Sequence, residues 1–144
     1  MKLANYVQGK WVEGAGEGAA LFNAVTGEKI GEATTKGIDF KAMMDYARNV
    51  GGPALRKMTF HERALKLKAL ALYLTEKKEI FYKLSMATGA TRADSWVDIE
   101  GGIGNLFVYA SKGRRELPNE PFYTDGKPEV ISKKGTFLGH HICV

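Results

Sequence analysis

Residues 59 to 89 constrain the fold most. Thr59 and Glu62 form a T-x-x-E capping box, in which each side chain accepts the other's free backbone N–H. Behind it Phe60, Ala64, Leu67, Ala71 and Leu74 step by four and three, the pattern of one buried helical stripe. Glu76-Lys77-Lys78-Glu79 interrupts the apolar content, and Ile80, Phe81, Leu84 and Ala87 resume it up to Gly89. One long helix and two shorter ones both fit this pattern.

Helices are also expected on either side. Phe40, Met43, Met44 and Ala47 fall at helical spacing within 38–49, and Gly51-Gly52-Pro53 is expected to end that helix. A further helix is expected to start near Asp94 or Ser95, with Trp96, Ile99, Ile103, Leu106, Phe107 and Ala110 on one face, and to fade at Lys112-Gly113. Gly101, Gly102 and Gly104 each cost roughly 1 kcal/mol inside a helix relative to alanine. Close packing on a neighbouring helix is the reason expected for them.

Short extended segments precede the helices. Residues 3–13 alternate around Gln8-Gly9, which suits a tight hairpin. Gly14-Ala15-Gly16-Glu17-Gly18 reads as a flexible connector. A second pair follows, Ala20–Val25 and Lys29–Thr34, joined at Thr26-Gly27-Glu28. Leu117–Pro128 holds three prolines and reads as a linker. Glu129–Lys133 and Thr136–Val144 read as a third hairpin turning at Lys134-Gly135. With no strand–helix alternation, these 144 residues by themselves are α+β: N-terminal hairpins, about three helices and a C-terminal β-hairpin.

Composition excludes several classes. A hydrophobic fraction of 44% with 26% charged residues is that of an ordinary soluble globular protein. No apolar run approaches the roughly 20 residues of a membrane span. The N-terminus lacks the apolar core of a signal peptide, and a single cysteine excludes an internal disulfide. A cytoplasmic location is expected. The net charge of +5 admits a polyanion partner or a plain solubility bias.

The constellations that could carry chemistry each have a structural alternative. Glu100-Gly101-Gly102-Ile103-Gly104-Asn105 lacks both the preceding strand and the third glycine of a dinucleotide fingerprint, Phe107 standing in that place. On a strand, His141 and Cys143 could share a face while His140 could not, and two ligands make a weak metal site. Cys143 as a nucleophile has no readable base beside it. Asp94 and Asp98, one helical turn apart, could pair for acid–base work, but acidic residues early in a helix more often complement its dipole. Lys112, Arg114 and Arg115, with Lys133 and Lys134, lie near Tyr109 and Tyr123 and could bind nucleic acid or form a solvated face.

Asn5-Tyr6-Val7-Gln8-Gly9-Lys10-Trp11-Val12, then Asn23-Ala24-Val25-Thr26-Gly27-Glu28-Lys29-Ile30, resemble the two N-terminal hairpins of the aldehyde dehydrogenase superfamily, with Ala24 where the family usually has proline. Glu62-Arg63-Ala64 and Ala87-Thr88-Gly89-Ala90 are similar to its next segment, although that segment's usual Glu and Lys are missing here. Val108-Tyr109-Ala110 sits where Tyr-Phe-Ala is typical. Residues 53–60, 88–104 and 115–118 resemble the phenylacetic acid degradation subfamily (PaaZ/PaaN type).

That resemblance implies an α/β parent: an NAD- or NADP-dependent enzyme oxidising a CoA-linked semialdehyde through a cysteine thiohemiacetal. It implies an oxyanion-binding asparagine and a water-activating glutamate, all three groups lying beyond Val144. No catalytic, cofactor-binding or metal-binding residue is therefore assigned to residues 1–144, and no bound cofactor is expected for them alone. Residues 1–128 are expected to flank the cofactor-binding domain. Residues 129–144 are expected to begin the bridging, oligomerising strands of a homo-oligomer (dimer or higher) with no nucleic-acid or membrane partner. The competing reading is a stand-alone interaction module, binding a protein partner or nucleic acid through the strand edge Phe137–Val144 and the basic face.

Overall fold

A computed structural model of the protein describes residues 1–124 and 126, together with the backbone of strands at 129–132, 135–137 and 142–143. Strands β1 (Ala4–Val7) and β2 (Lys10–Glu13) pair antiparallel with Tyr6 opposite Trp11. Gln8 at φ 51° and Gly9 at φ 81° supply the left-handed pair that a two-residue hairpin turn needs. Strand β3 (Ala19–Phe22) pairs with β4 (Lys29–Ala33). β3 stops three residues before the expected Val25. The Asn23 side-chain oxygen accepts the N–H groups of Val25 (2.8 Å) and Thr26 (3.2 Å), a local bond that competes with the ladder.

The glycine-rich stretch between the hairpins is a close-packed edge rather than a loose connector. Ala15 N–H donates to the Lys36 carbonyl at 2.8 Å. A Cβ on Gly14 would strike the Thr34 backbone, and one on Gly18 would come within 2.6 Å of the Ala33 carbonyl oxygen. Leu3 N–H donates to Glu32 O and Glu32 N–H to Met1 O, both at 2.9 Å, so the chain start ties the hairpins together.

Helix α1 (Phe40–Tyr46) is capped by Asp39, whose side chain accepts from Ala42 N–H at 2.9 Å. The expected stop at Gly51-Gly52-Pro53 does not occur. A π-helical turn, Ala47–Gly51, closes with Gly52 N–H on Ala47 O and leads into α2 (Gly52–Arg56). The inserted turn puts Pro53 in the first turn of α2.

Helix α3 (Phe60–Met86) is one helix of 27 residues. Glu76–Glu79 does not break it, since Glu and Lys are good helix formers. The capping box forms as expected, with Thr59 N–H donating to Glu62 at 2.8 Å and Glu62 N–H to Thr59 Oγ1 at 3.2 Å. Helix α4 (Arg92–Arg115) starts before the expected Asp94. A second capping box sets that start: Asp94 N–H donates to Thr91 Oγ1 at 3.2 Å, and Thr91 N–H returns to the Asp94 carboxylate at 3.3 Å.

α3 and α4 form an antiparallel hairpin with a seam of small residues. Ala64, Ala71, Ser95 and Ala110 are buried there with Tyr82 and Ile103. Ser95 Oγ donates to Ser85 Oγ at 2.8 Å, and a Cβ on Gly113 would lie 3.2 Å from Ala64 Cβ. Trp96, expected on the buried face, is 57% exposed while Ser95 is fully buried. Helices this close leave no room for an indole. The glycine expectation is corrected in the same way, because a Cβ on Gly101, Gly102 or Gly104 would meet nothing within 4 Å. Gly113 is the α4 glycine at the contact.

The proline-rich segment after α4 is anchored. Phe60 N–H donates to Glu120 O (3.0 Å) and Arg63 Nη2 to Pro121 O (2.9 Å), so the segment satisfies donors at the start of α3. Short strand β5 (Tyr123–Thr124) lies inside the expected linker and pairs with β8 (Ile142–Cys143). β6 (Glu129–Ser132) pairs with β7 (Gly135–Phe137). The observed fold class is the expected α+β. No helix among the described residues is long and apolar enough to cross a membrane.

Candidate functional site

The Glu100–Asn105 run lies inside α4, well away from a strand-to-helix turn. Its backbone N–H groups are therefore committed to helical bonds, and no loop curls back to cradle a phosphate. This run does not form the turn of a dinucleotide fingerprint. His140 and His141 lie outside the described residues, and at Cys143 only the strand backbone is described. Among the described residues no group of three or more His, Cys, Asp or Glu could hold a metal ion.

Asp94 and Asp98 do not form a carboxylate pair. The Asp94 carboxylate is engaged in the Thr91 cap, where it also accepts the Thr91 hydroxyl at 2.6 Å. The acid of α4 that reaches across to α3 is instead Glu100. Tyr82 donates its hydroxyl to Glu100 Oε1 at 2.8 Å, and Lys78 Nζ donates to the same oxygen at 3.1 Å. The Tyr82 hydrogen bond, then that from Lys78, holds the Glu100 carboxyl below its ordinary value. Burial, then the bond to Glu100, holds the Tyr82 phenol above its own. Arg92 lies over the Tyr82 ring at 4.3 Å and reaches Glu79 at 3.2 Å. This cluster bridges the two helices. Its sequence signal was Lys78 and Tyr82 at i, i+4, hidden inside a charge run.

The basic cluster is split by the helix period. Arg114 and Arg115 join His61, Lys68, Phe107 and Ser111 around an open cavity of about 580 Å³ on one side of the α3–α4 seam. Lys112 and Tyr109 lie around the helix from them. They line an apolar hollow of about 370 Å³ with Phe60, Leu67 and Leu117, and Lys112 pairs with Glu116 at 3.6 Å. Lys133 and Lys134 lie outside the described residues.

The residues that carry the family resemblance have structural work. Glu62 caps α3, Arg63 holds Pro121, and Ala64 forms the seam. The aldehyde dehydrogenase family model matches residues 11–134. The chain belongs to the aldehyde dehydrogenase family. A 3,4-dehydroadipyl-CoA semialdehyde dehydrogenase of Aromatoleum evansii is 41% identical over 142 residues, 98% of this chain. The match covers 27% of that relative, so the chain spans about a quarter of its length.

Proposed function

We propose that these residues are the N-terminal scaffold of an NAD- or NADP-dependent aldehyde dehydrogenase of phenylacetate catabolism, which oxidises a CoA-linked semialdehyde to the acid. The observation that carries the reading is the 41% identity, along nearly the whole chain, to a CoA-semialdehyde dehydrogenase. Residues 1–128 flank the cofactor-binding domain and residues 129–144 begin the bridging strands of a homo-oligomer. The cofactor and the catalytic cysteine, glutamate and asparagine belong to the rest of the protein, and Cys143 is not the nucleophile. The exposed apolar surface supports a scaffold. Leu74, Phe81, Ile99 and Leu106 line one open apolar hollow, and Leu55, Leu67 and Leu70 another. Surfaces of this kind are normally covered by protein.

The test is an assay of two proteins. The 144-residue chain should neither bind NAD(P) nor oxidise aldehydes, whereas the protein encoded by the extended reading frame should oxidise CoA-linked semialdehydes in preference to free ones. NAD(P)-dependent turnover by the 144-residue chain, abolished by Cys143→Ser, would overturn the assignment.

A further inference from the structure

We infer that Arg63 is a positioning residue that latches the strap after α4 (residues 117–121) onto the start of α3, and so sets where β5 begins. The first turn of α3 holds this strap at several points. Phe60 N–H donates to Glu120 O at 3.0 Å, His61 Nε2 lies 3.0 Å from Leu117 O, and Arg63 Nη2 donates to Pro121 O at 2.9 Å. The Arg63 guanidinium also lies over the Phe60 ring at 4.3 Å. Shortly after Pro121 comes Tyr123, where β5 pairs with Cys143 of β8. The grip thus joins the helix pair to a strand pair. This role goes beyond the scaffold reading proposed above and needs no part of the aldehyde chemistry.

The chemistry of position 63 points to a grip rather than to helix formation. A cation near a helix N-terminus opposes the dipole, and Arg63 makes no ion pair among the described residues. The capping box already satisfies Glu62 N–H through Thr59, so α3 starts without help from Arg63. Phe60 N–H differs: at the first helical position it has no intrahelical acceptor and relies on Glu120 O. Arg63 Nε is buried without an acceptor among the described residues, a cost set against the grip. Opening the strap lets the guanidinium turn into water, while the buried seam of Ala64, Ala71, Ser95 and Ala110 keeps the helices together. Release of the strap is therefore a local opening, at a lower free energy than separation of the helices.

Amide hydrogen exchange of the 144-residue chain and two variants tests this. Arg63→Met keeps a long stem and a good helix former but has no donor. It should speed exchange of the Phe60 amide about tenfold or more, as for loss of a charge-assisted hydrogen bond, and speed the β5–β8 ladder with it. The Glu62 amide, held by Thr59, should exchange as in wild type. Arg63→Lys keeps the charge without the planar fork and should give the same pattern to a smaller degree. Unchanged exchange at Phe60 in Arg63→Met would overturn the proposal. Equal acceleration at Phe60 and Glu62 in both variants would also overturn it, since the start of α3 would then be fraying as a whole.

Discussion

The backbone N–H of Ala24 donates to the carbonyl of Ala87 at 2.8 Å, joining the turn of the second hairpin to the last turn of α3. Carbonyls at a helix C-terminus lack intrahelical partners. Gly89, at φ 85°, turns the chain away and leaves this one accessible. The family resemblance puts proline where Ala24 stands, and proline has no N–H to give. Ala24→Pro loses this hydrogen bond and should cost about 1 kcal/mol or more, because proline's restriction of the unfolded chain does not compensate where a bonded N–H is removed. Gly89→Ala should cost about 1–2 kcal/mol. It should also speed exchange of the Ala24 amide, which is otherwise protected. Urea unfolding and hydrogen exchange check both statements.

Glycines of this chain divide into those that a methyl group would clash with and those it would not. Gly18→Ala meets the Ala33 backbone at 2.6 Å and should cost about 1–3 kcal/mol. Gly101→Ala and Gly102→Ala point into open space within a helix and should each stabilise the chain by roughly 1 kcal/mol. Thermal unfolding of the three variants should separate them by sign.

Much of this frame was legible in the sequence because its signals are local. Gln8-Gly9 specified a turn, Thr59 with Glu62 a helix start, and the stripe from Phe60 to Leu74 a buried face. The misses came from contacts between segments distant in sequence. Hydropathy placed Trp96 inside, but the width of the α3–α4 seam admits only Ser95. Glycines at 14–18 looked flexible because their reason is the backbone of residues 33–36. Pro53 looked like a terminator because a π turn leaves no pattern of its own. At the candidate sites, spacing separated Lys112 from Arg114 correctly only once the helix was known to run on to Arg115.

The small-residue seam fixes how closely the helices approach. Ala71 is fully buried there, and Ala71→Leu forces the extra carbons against α4. A loss of about 1–3 kcal/mol is expected, read as a lower urea midpoint. Leu72→Ala, one position along and half-exposed, should change stability by well under 1 kcal/mol. Equal effects from the two would contradict the seam.

The Tyr82–Glu100–Lys78 cluster makes a pH prediction whose sign follows from the shifts. The Glu100 carboxyl lies below its ordinary 4.5, so its contribution is present above that value and is lost as the pH falls through the lowered one. The Tyr82 phenol lies above 10.0, so its contribution is present below pH 10.0 and is lost as the pH rises through the raised value. Glu100→Gln removes the charge while keeping the shape. Its melting temperature should fall below wild type near about pH 7 and approach it as acid protonates Glu100 in the parent chain. Tyr82→Phe should remove the alkaline loss that the Tyr82 phenol causes and leave the hydrophobic packing of the ring. A wild-type-to-Glu100→Gln difference that stays constant down to about pH 3 would show that the hydrogen bonds do not depend on the charge of Glu100.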